Sequence, residues 1–426
     1  MEKTLECYNT LGLATLARAL RSGDASAVEL VEYCISRIHD LDPQIQAWVE
    51  VFEQRAKEKA KEADRTPADA RGPLHGIPFG VKDIIDVAGF RTGCGSNLTS
   101  GHSAVATGDV VTALEQCGAI ALGKTVTTEF AYFQPGPTRN PLNYKHTPGG
   151  SSSGSAAAVA AGMVPLAIGT QTAASLIRPA AYCGVYGYVA PVGTWSTKGI
   201  VGLSSSLDSV GFFSADIEGI EIIEKIETGD TPRKEKPRVL TWIPDHTFSC
   251  ESTMIERLLE ISEELTGQGY FVDQVELDEE ANALIENHST IMAYEACRER
   301  RELLKQLDSV SEPLAELLET GTAISTSRYL AAKKETYNWR KRLTDRFRDT
   351  IFLAPSALGP APIGLETTGS PIMSRPWQVL GWPTLNIPET VVKTSSHLPR
   401  GIQLIGPPNL KKSLVQAAIL LNQDAK

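Results

Sequence analysis

Hydrophobic residues in the first seventy positions recur at helical spacing. Between residues 13 and 20 they fall three and four apart, and Gly23 follows, so the pattern predicts a helix that ends at that glycine. Ser26 is suited to cap a second helix, which we expect to end before Pro43. A charged third helix is predicted over residues 52–63.

From residue 73 the pattern changes to short apolar stretches separated by glycine and proline. Residues 76–83 and 119–124 read as buried strands, and residues 110–117 between them as a helix. Near the end, residues 401–406 suit a strand and residues 413–422 a helix. Strands that alternate with helices predict a layered α/β domain.

Residues 216–350 are more charged and more helical. We expect strands at residues 239–242 and 270–277, a helix that closes near residue 267, and two or three long helices over residues 282–348. Basic and acidic residues interleave along these helices, which is typical of a solvated face. The connection over residues 228–236 is predicted to be mobile.

One stretch is unusual, from Thr147 to Ile177. It begins with a Gly/Ser loop that contains Ser151 to Ser153, continues with an alanine-rich run and a short apolar run, and ends in a second loop that holds Ser175. The order predicted is loop, helix, strand, loop. Small residues permit close backbone approach and unusual dihedral angles, so this stretch suits a place where backbone N–H groups face a ligand.

Composition narrows the class of protein. The 426 residues carry a net charge of −10, with 42% apolar and 22% charged residues, which is ordinary for a globular protein. The acidity argues against nucleic acid or an anionic membrane as partner. Seven cysteines without a Cys-x-x-Cys pair and seven dispersed histidines predict free thiols and no metal site. Without an apolar leader or a long apolar run, we expect a cytoplasmic protein.

Several of these segments resemble the amidase signature family, and the resemblance extends from about residue 11 to the C-terminus. The motifs that carry it are Pro73–Asp83, Leu122–Thr125, Thr128–Phe130, Arg139–Pro141, Gly149–Ser152 with Ser175, Arg178–Gly184, Ser206–Gly211 and Gly401–Gly406. The resemblance implies an α/β fold with a large mixed β-sheet sandwiched between α-helices. It also implies one domain, with amino-terminal helices (1–70), a catalytic core (71–215), a mostly helical insertion (216–350) and a carboxy-terminal part of the core (351–426).

The family works with a Ser–Ser–Lys triad. Its nucleophile lies twenty-four residues after the first serine of the Gly-Gly-Ser-Ser loop, and that spacing joins Ser151 to Ser175 in this chain. The resemblance therefore implies that Ser175 is the nucleophile, that Ser151 follows a cis peptide and bridges, and that Lys82 is the base. It also implies an oxyanion hole built from the backbone N–H groups of Thr172, Ala173, Ala174 and Ser175.

These residue types suit that chemistry. A serine hydroxyl is a weak nucleophile until a base removes its proton. Lys82 follows Phe79 and Val81 in an apolar stretch, so we expect it to be buried, and burial lowers the pKa of a lysine. A neutral lysine can then accept the proton of Ser175 through Ser151.

The second loop departs from the commonest family pattern. The chain reads Gln-Thr-Ala-Ala-Ser over residues 171–175, where Asp-Thr-Gly-Gly-Ser is usual; the glutamine, and an arginine at Arg178, occur in the malonamidase-like branch. If the family glycines have positive φ, Ala173 and Ala174 are strained. Ser153 also replaces a usual glycine.

The resemblance suggests further residues around the substrate. They are Phe130, Phe133, Gln134, Ser152, Arg178 and Trp377. Two of them keep two interpretations each: Arg178 binds a substrate carboxylate or pairs with an internal acid, and Ser152 assists by hydrogen bonding or caps a turn.

The function expected is hydrolysis of a linear amide C–N bond through an acyl-serine intermediate, on a small-molecule amide and without cofactor or metal. Three alternatives stay open: an acyl-transferring or amide-forming enzyme, the amidase subunit of an amidotransferase, and a binding protein that has lost catalysis. We expect no nucleic acid or membrane partner, and a homodimer is left open.

Overall fold

A computed structural model describes residues 12–99, 103–229, 236–389 and 398–424. Within these ranges the helices, named α1 to α13, are Leu13–Ser22, Ala27–Ile45, Glu53–Arg65, Asp109–Gln116, Ser153–Ala160, Ile177–Cys183, Ile217–Thr228, Ser252–Gly267, Asp278–Glu299, Glu312–Ala323, Thr326–Arg346, Arg375–Leu380 and Lys411–Asp424. Among them no helix is long and apolar enough to cross a membrane. Most of the connection predicted at residues 228–236 lies outside the described residues.

The strands of the described residues form one sheet. Named β1 to β11, they are Trp48–Val51, Pro78–Lys82, Ile120–Thr125, Leu166–Gln171, Tyr186–Val189, Ser209–Ser214, Arg238–Trp242, Val272–Val275, Thr350–Pro355, Thr384–Ile387 and Ile402–Ile405. Their order across the sheet is β1-β3-β2-β4-β6-β5-β10-β11-β9-β7-β8. Strand β2 is parallel to β3 and β4, strand β7 is parallel to β8 and β9, and the other pairs are antiparallel. This confirms the predicted α/β fold with a large mixed sheet.

The parallel pair β2 and β4 determines where the two small-residue loops meet. Every residue of both strands is buried, and Val81 lies opposite Ile168. Because parallel strands run in the same direction, their carboxyl ends share one edge of the sheet. Lys82, which ends β2, and Gln171, which ends β4, are therefore brought to the same edge, next to the loop at residues 172–176.

The amino-terminal helices follow the predicted pattern with one correction. Gly23 has a φ of 85° and ends α1, and Ser26 Oγ accepts the N–H of Glu29 at the start of α2; both predictions are confirmed. Helix α2, however, continues past Pro43 to Ile45. Pro43 cannot donate the helical hydrogen bond of its position, and the helix continues for only two residues beyond it.

Helix α5 shows why its residues are small. A Cβ on Gly154 would lie 2.3 Å from the carbonyl oxygen of Ala47 and 2.4 Å from the backbone nitrogen of Val126, so only glycine fits. Ser153, which stands where the family has a glycine, is accommodated at the first position of the helix, and its Oγ donates to Val126 O at 3.4 Å. The close packing holds the loop before α5 against the sheet.

Candidate active site

A fully buried lysine ends strand β2. Lys82 is 0% exposed, and its Nζ lies 2.7 Å from Ser151 Oγ and 2.8 Å from Thr170 Oγ1. Burial lowers the pKa of Lys82 to about 7, because removing the ammonium group from water disfavours the charged form; the negative charge of Asp208 opposes this effect. Near pH 7 about half of the molecules therefore carry a neutral Lys82.

A neighbouring buried lysine has different partners. Lys124 in β3 is also 0% exposed, but its Nζ forms an ion pair with Asp83 at 2.9 Å and donates to Ile85 O at 2.6 Å. Within the described ranges Lys82 has no such carboxylate contact. Lys82 can therefore exchange a proton without leaving a buried carboxylate unpaired, which is the costly outcome for an ion pair.

The structure places Ser151 next to this lysine and joins the loop that carries Ser175 to the neighbouring Ser152. The peptide bond between Gly150 and Ser151 is cis, as the resemblance implied. The N–H of Ser152 donates to Ser175 O at 3.1 Å, so the backbones of the two loops are joined beside Ser151. Ser175 is 8% exposed, and its hydroxyl has no hydrogen-bond partner in the described part of the chain.

The backbone before Ser175 presents unused donors. Among the described residues, the N–H groups of Ala173, Ala174 and Ser175 donate to no protein acceptor. Two or three adjacent N–H groups beside a serine hydroxyl can stabilise negative charge that develops on an oxygen. The loop therefore has donors suited to the predicted oxyanion hole.

The condition under which the two alanines would be strained is not met. Neither Ala173 nor Ala174 has a positive φ, so the loop needs no glycine at these positions. Positive φ values occur instead in the loop after β3, at Phe130 (44°), Ala131 (61°) and Phe133 (25°). Left-handed backbone at non-glycine residues is uncommon and concentrates at functional sites.

Gln171 holds the end of the Ser175 loop that leads into helix α6. Its Oε1 accepts the N–H of Leu176 at 3.1 Å and of Ile177 at 3.0 Å, so it satisfies donors at the start of helix α6. Its Nε2 donates to Gln378 Oε1 at 3.0 Å. The glutamine is thus a cap for the turn that carries Ser175.

Thr172 anchors the near end of the loop from two sides. Its hydroxyl donates to Asp208 Oδ1, and its carbonyl oxygen lies 2.8 Å from Nε2 of His288 in helix α9. A carbonyl only accepts, so Nε2 carries the proton. Burial lowers the pKa of His288 to about 3 and raises that of Asp208 to about 6, the latter against the hydrogen bond from Thr172.

Arg178 donates hydrogen bonds to the backbone around the cis peptide. Its Nη2 donates to Gly150 O at 2.7 Å and to Thr368 Oγ1 at 2.9 Å, and its Nη1 donates to Gly369 O at 2.8 Å. In the described residues no acid pairs with it, so the structure does not support an internal ion pair, which was one of the two interpretations kept for this residue. Burial lowers its pKa to about 10. The guanidinium lies 5.8 Å from the centre of the Phe133 ring.

The other predicted substrate residues separate into two groups. Phe133 and Gln134 line a cavity of about 530 Å³. Phe130 is buried in the hydrophobic core, and Trp377 packs among three aromatic rings there. The Ser152 hydroxyl exchanges two hydrogen bonds with the backbone of β4, at 3.2 and 3.3 Å, so its side chain is held by the strand.

Some polar residues of the site were not predicted. Thr170 lies just after the short apolar run of the unusual stretch, and Asp208 belongs to one of the motifs that carry the resemblance, so that motif was a usable signal for Asp208. His288, by contrast, lies in a helix whose charged residues look solvated, and Arg375 lies in a segment for which no helix was predicted. No spacing links either residue to Ser175. Only the fold brings them together.

Comparison with known proteins adds an independent line of evidence. The family model described as Amidase matches residues 29–415. A glutamyl-tRNA(Gln) amidotransferase subunit from Symbiobacterium thermophilum is 37% identical over 268 residues, which cover 61% of this chain and 55% of that protein. The chain thus spans little more than half the length of that relative. The corresponding subunit from Halothermothrix orenii is 28% identical over 98% of both chains.

Solved structures extend the similarity to the fold. The crystal structure of an amidase aligns with a TM-score of 0.86 and 25% identity, covering 97% of this chain and 100% of that one. The native peptide amidase from Stenotrophomonas maltophilia aligns with a TM-score of 0.80 and 24% identity, covering 97% and 96%. The similarity in fold therefore covers almost the whole of this chain.

Proposed function

The chain belongs to the amidase family, and from that premise we propose that it hydrolyses a linear carboxylic amide through an acyl-serine intermediate. One observation carries the proposal: Nζ of the buried Lys82, whose pKa is near 7, lies 2.7 Å from Ser151 Oγ, within reach of its proton. A base poised near neutral pH is what a serine nucleophile requires. The free Ser175 hydroxyl beside unused backbone donors supports the same chemistry.

In the proposed reaction, Ser175 Oγ attacks the amide carbonyl carbon while its proton passes to Ser151, whose own proton passes to Lys82. The carbonyl oxygen becomes an oxyanion that the N–H groups of Ala173, Ala174 and Ser175 stabilise; one such donor contributes about 3–4 kcal/mol to lowering the barrier. The C–N bond then breaks, and the proton returns through Ser151 to the leaving nitrogen. Water attacks the acyl-serine by the same route and releases the acid.

Arg178 has a positioning role in this scheme. Its Nη2 donates to the carbonyl oxygen of Gly150 at 2.7 Å, so it holds the peptide that precedes Ser151. Among the described residues no hydrogen bond joins this side chain to Ser175, so its effect on the reaction passes through the orientation of the Ser151 hydroxyl. A loss of that orientation would lower the rate of acylation more than it would weaken substrate binding.

A fluorophosphonate probe tests the proposal without knowledge of the substrate. We expect the probe to form one adduct on the folded protein, at Ser175, located by peptide mass spectrometry. Ser175→Ala and Lys82→Ala should abolish it, whereas the matched control Ser153→Ala, at the start of the neighbouring helix, should be labelled as the wild type is. Absence of labelling on folded wild-type protein, or labelling that persists in Lys82→Ala, would exclude the triad.

A second candidate function follows from the relatives. The 37% identity to one amidotransferase subunit, and the full-length alignment to another, favour a chain that works within an amidotransferase, where the nitrogen released from an amide passes to an acceptor. That function requires a partner protein and an amide donor such as glutamine. It is tested by measuring glutamine hydrolysis by the isolated chain and by seeking a co-purifying protein in equimolar amount. Hydrolysis of simple amides without a partner would favour the first function.

A further inference from the structure

Helix α9 carries a buried glutamate that the proposed reaction does not use. Glu295 is 7% exposed. Its Oε2 accepts from Ser204 Oγ at 2.6 Å and from Ser206 N at 3.0 Å. Its Oε1 accepts from Ser206 Oγ at 2.6 Å and from the Tyr329 hydroxyl at 2.8 Å, and Lys333 Nζ lies 3.7 Å away. Four hydrogen bonds fill the acceptor sites of a carboxylate, so Glu295 is held at both oxygens.

These hydrogen bonds keep the Glu295 carboxylate charged. Burial raises its pKa, but the hydrogen bonds from the two serines lower it by more, so the pKa lies below the usual value of a glutamate. Hydrogen bonds to a charged acceptor are stronger than those between neutral groups. The carboxylate therefore fixes the turn at residues 203–208 against helix α9, where Glu299 adds a hydrogen bond from Ser205 N at 2.7 Å.

The same turn binds the carboxylate of Asp208. Oδ2 of Asp208 accepts Leu203 N at 2.8 Å and Ser204 N at 3.1 Å, so Ser204 donates its hydroxyl to one acid and its N–H to the other. The carbonyl oxygen of Ser204 closes the turn by accepting the N–H groups of Leu207 and Asp208, at 2.9 and 2.8 Å. The position of Asp208 therefore depends on where Glu295 holds the turn.

Asp208 connects this turn to the loop of the proposed nucleophile. Its Oδ1 accepts the hydroxyl of Thr172, which precedes the backbone donors of the proposed oxyanion hole. Its charge also raises the pKa of Lys82. Helix α9 thus reaches the site twice, directly where His288 bonds to Thr172 O and indirectly through Glu295.

We infer that Glu295 is a positioning residue for acylation, which acts through Asp208 on the Thr172 end of the nucleophile loop. This inference rests on the proposed function and adds to it a residue of helix α9. Among the described residues no hydrogen bond joins Glu295 to Ser175, so its effect passes through the turn. A misplaced loop slows the chemical step more than it weakens the binding of a ligand.

The test measures fluorophosphonate labelling of Glu295→Gln, which keeps the size of the side chain and removes its charge. The maximal labelling rate, kinact, and the probe concentration that gives half of it, KI, are determined. We expect kinact to fall by about 10- to 100-fold while KI stays within about twofold of wild type. The control Glu227→Gln changes a glutamate whose side chain is 1% exposed and accepts from Tyr188, Trp195 and Lys411; it should leave both constants unchanged.

The pH midpoint of labelling distinguishes this route from a general loss of stability. Burial raises the pKa of Asp208, the hydrogen bond from Thr172 and then the N–H groups of the turn lower it, and the charge of Glu299 raises it. If Glu295→Gln releases the turn, the pKa of Asp208 rises and its negative charge near pH 7 decreases. The pKa of Lys82 then falls, so the midpoint should move below that of wild type. A midpoint at or above the wild-type value overturns the inference.

A double-mutant cycle tests whether the effect passes through Asp208. In the Asp208→Asn background, Glu295→Gln should lower kinact by less than about threefold. Equal losses in both backgrounds overturn the inference, as does a kinact of Glu295→Gln within about twofold of wild type. If Glu295→Gln does not fold, Ser206→Ala, which removes one donor, should lower kinact by about threefold or more, and an unchanged kinact overturns the inference. Folded wild-type protein that is not labelled at Ser175 overturns the proposed function instead.

Discussion

The pKa of Lys82 makes a quantitative prediction about the pH dependence of acylation. An ordinary lysine has a pKa of 10.5, and burial brings that of Lys82 to about 7. At pH 7 the neutral fraction rises from about 0.03% to about half, a gain on the order of 1,000-fold. If neutral Lys82 accepts the proton, the acylation rate follows this fraction. It should increase with pH, reach half of its maximum near pH 7, and be about tenfold below the plateau at pH 6.

The assay is the rate of fluorophosphonate labelling between pH 5.5 and 9, which requires no knowledge of the substrate. Labelling is followed on gels at limiting probe, and peptide mass spectrometry confirms Ser175 as the labelled residue. A midpoint above about pH 9 would refute the reasoning, since it would mean that Lys82 keeps the pKa of an ordinary lysine. A midpoint near 7 that survives in Lys82→Ala would equally refute it, because another group would then titrate.

Two controls distinguish a titration of the site from unfolding and from background labelling. Circular dichroism at each pH shows whether the protein stays folded, so that unfolding is not mistaken for a catalytic titration. Ser175→Ala defines the background of labelling at every pH. A titration that appears in labelling but not in circular dichroism therefore belongs to the site.

Three further predictions concern stability. Lys82→Met should lose labelling, yet its free energy of unfolding should be higher than that of wild type, and the difference should be largest below pH 7. As the pH rises from 7 toward 10, this difference should shrink by about 1.4 kcal/mol per pH unit, because in that range the folded wild type binds fewer protons than its unfolded chain. Gln171→Leu should cost about 2–4 kcal/mol in urea unfolding, because it leaves the N–H groups at the start of α6 without acceptors. His288→Leu should lower the melting temperature at pH 7. Between pH 6.5 and 4, however, the variant should lose less stability than the wild type does, because the low pKa of His288 makes wild-type stability fall as the histidine of the unfolded chain gains a proton.

Each of these has a result that contradicts it. A stability difference between Lys82→Met and wild type that is independent of pH would mean that Lys82 has the same pKa in both states. If Gln171→Leu lowers the free energy of unfolding by less than about 0.5 kcal/mol, no more than the exposed control Gln134→Leu does, then Gln171 does not stabilise the protein as a cap. Identical pH slopes for His288→Leu and wild type would show that the histidine is not held neutral.

Local patterns predicted the elements well where one chemical preference dominates. Glycine ends α1 because only Gly23 adopts the left-handed conformation without cost, and Ser26 caps α2 because its hydroxyl satisfies a backbone donor. The prediction that α2 ends before Pro43 was wrong, because the helix continues two residues past this proline to Ile45. Burial of Lys82 was predictable from the apolar residues around it, and its lowered pKa follows from that burial.

The supports of the Ser175 loop were not predictable, because they come from distant parts of the chain. Thr172 is bonded by residues 36 and 116 positions away, and Gln171 by a residue 207 positions away. No periodicity encodes such contacts. Strain at Ala173 and Ala174 depended on the condition that these positions need a positive φ, and in the structure neither alanine has one.

The anchor at Asp208 also affects the base. Its carboxylate holds Thr172, and its negative charge raises the pKa of Lys82 against the effect of burial. Burial in turn brings the pKa of Asp208 to about 6. When the pH falls through 6, protonation of Asp208 removes the charge that favours the lysine ammonium, so Lys82 loses less of its neutral form than an isolated base would. The labelling rate should therefore fall by less than tenfold between about pH 6 and pH 5, and Asp208→Asn, which has no such charge, should move the midpoint below that of wild type.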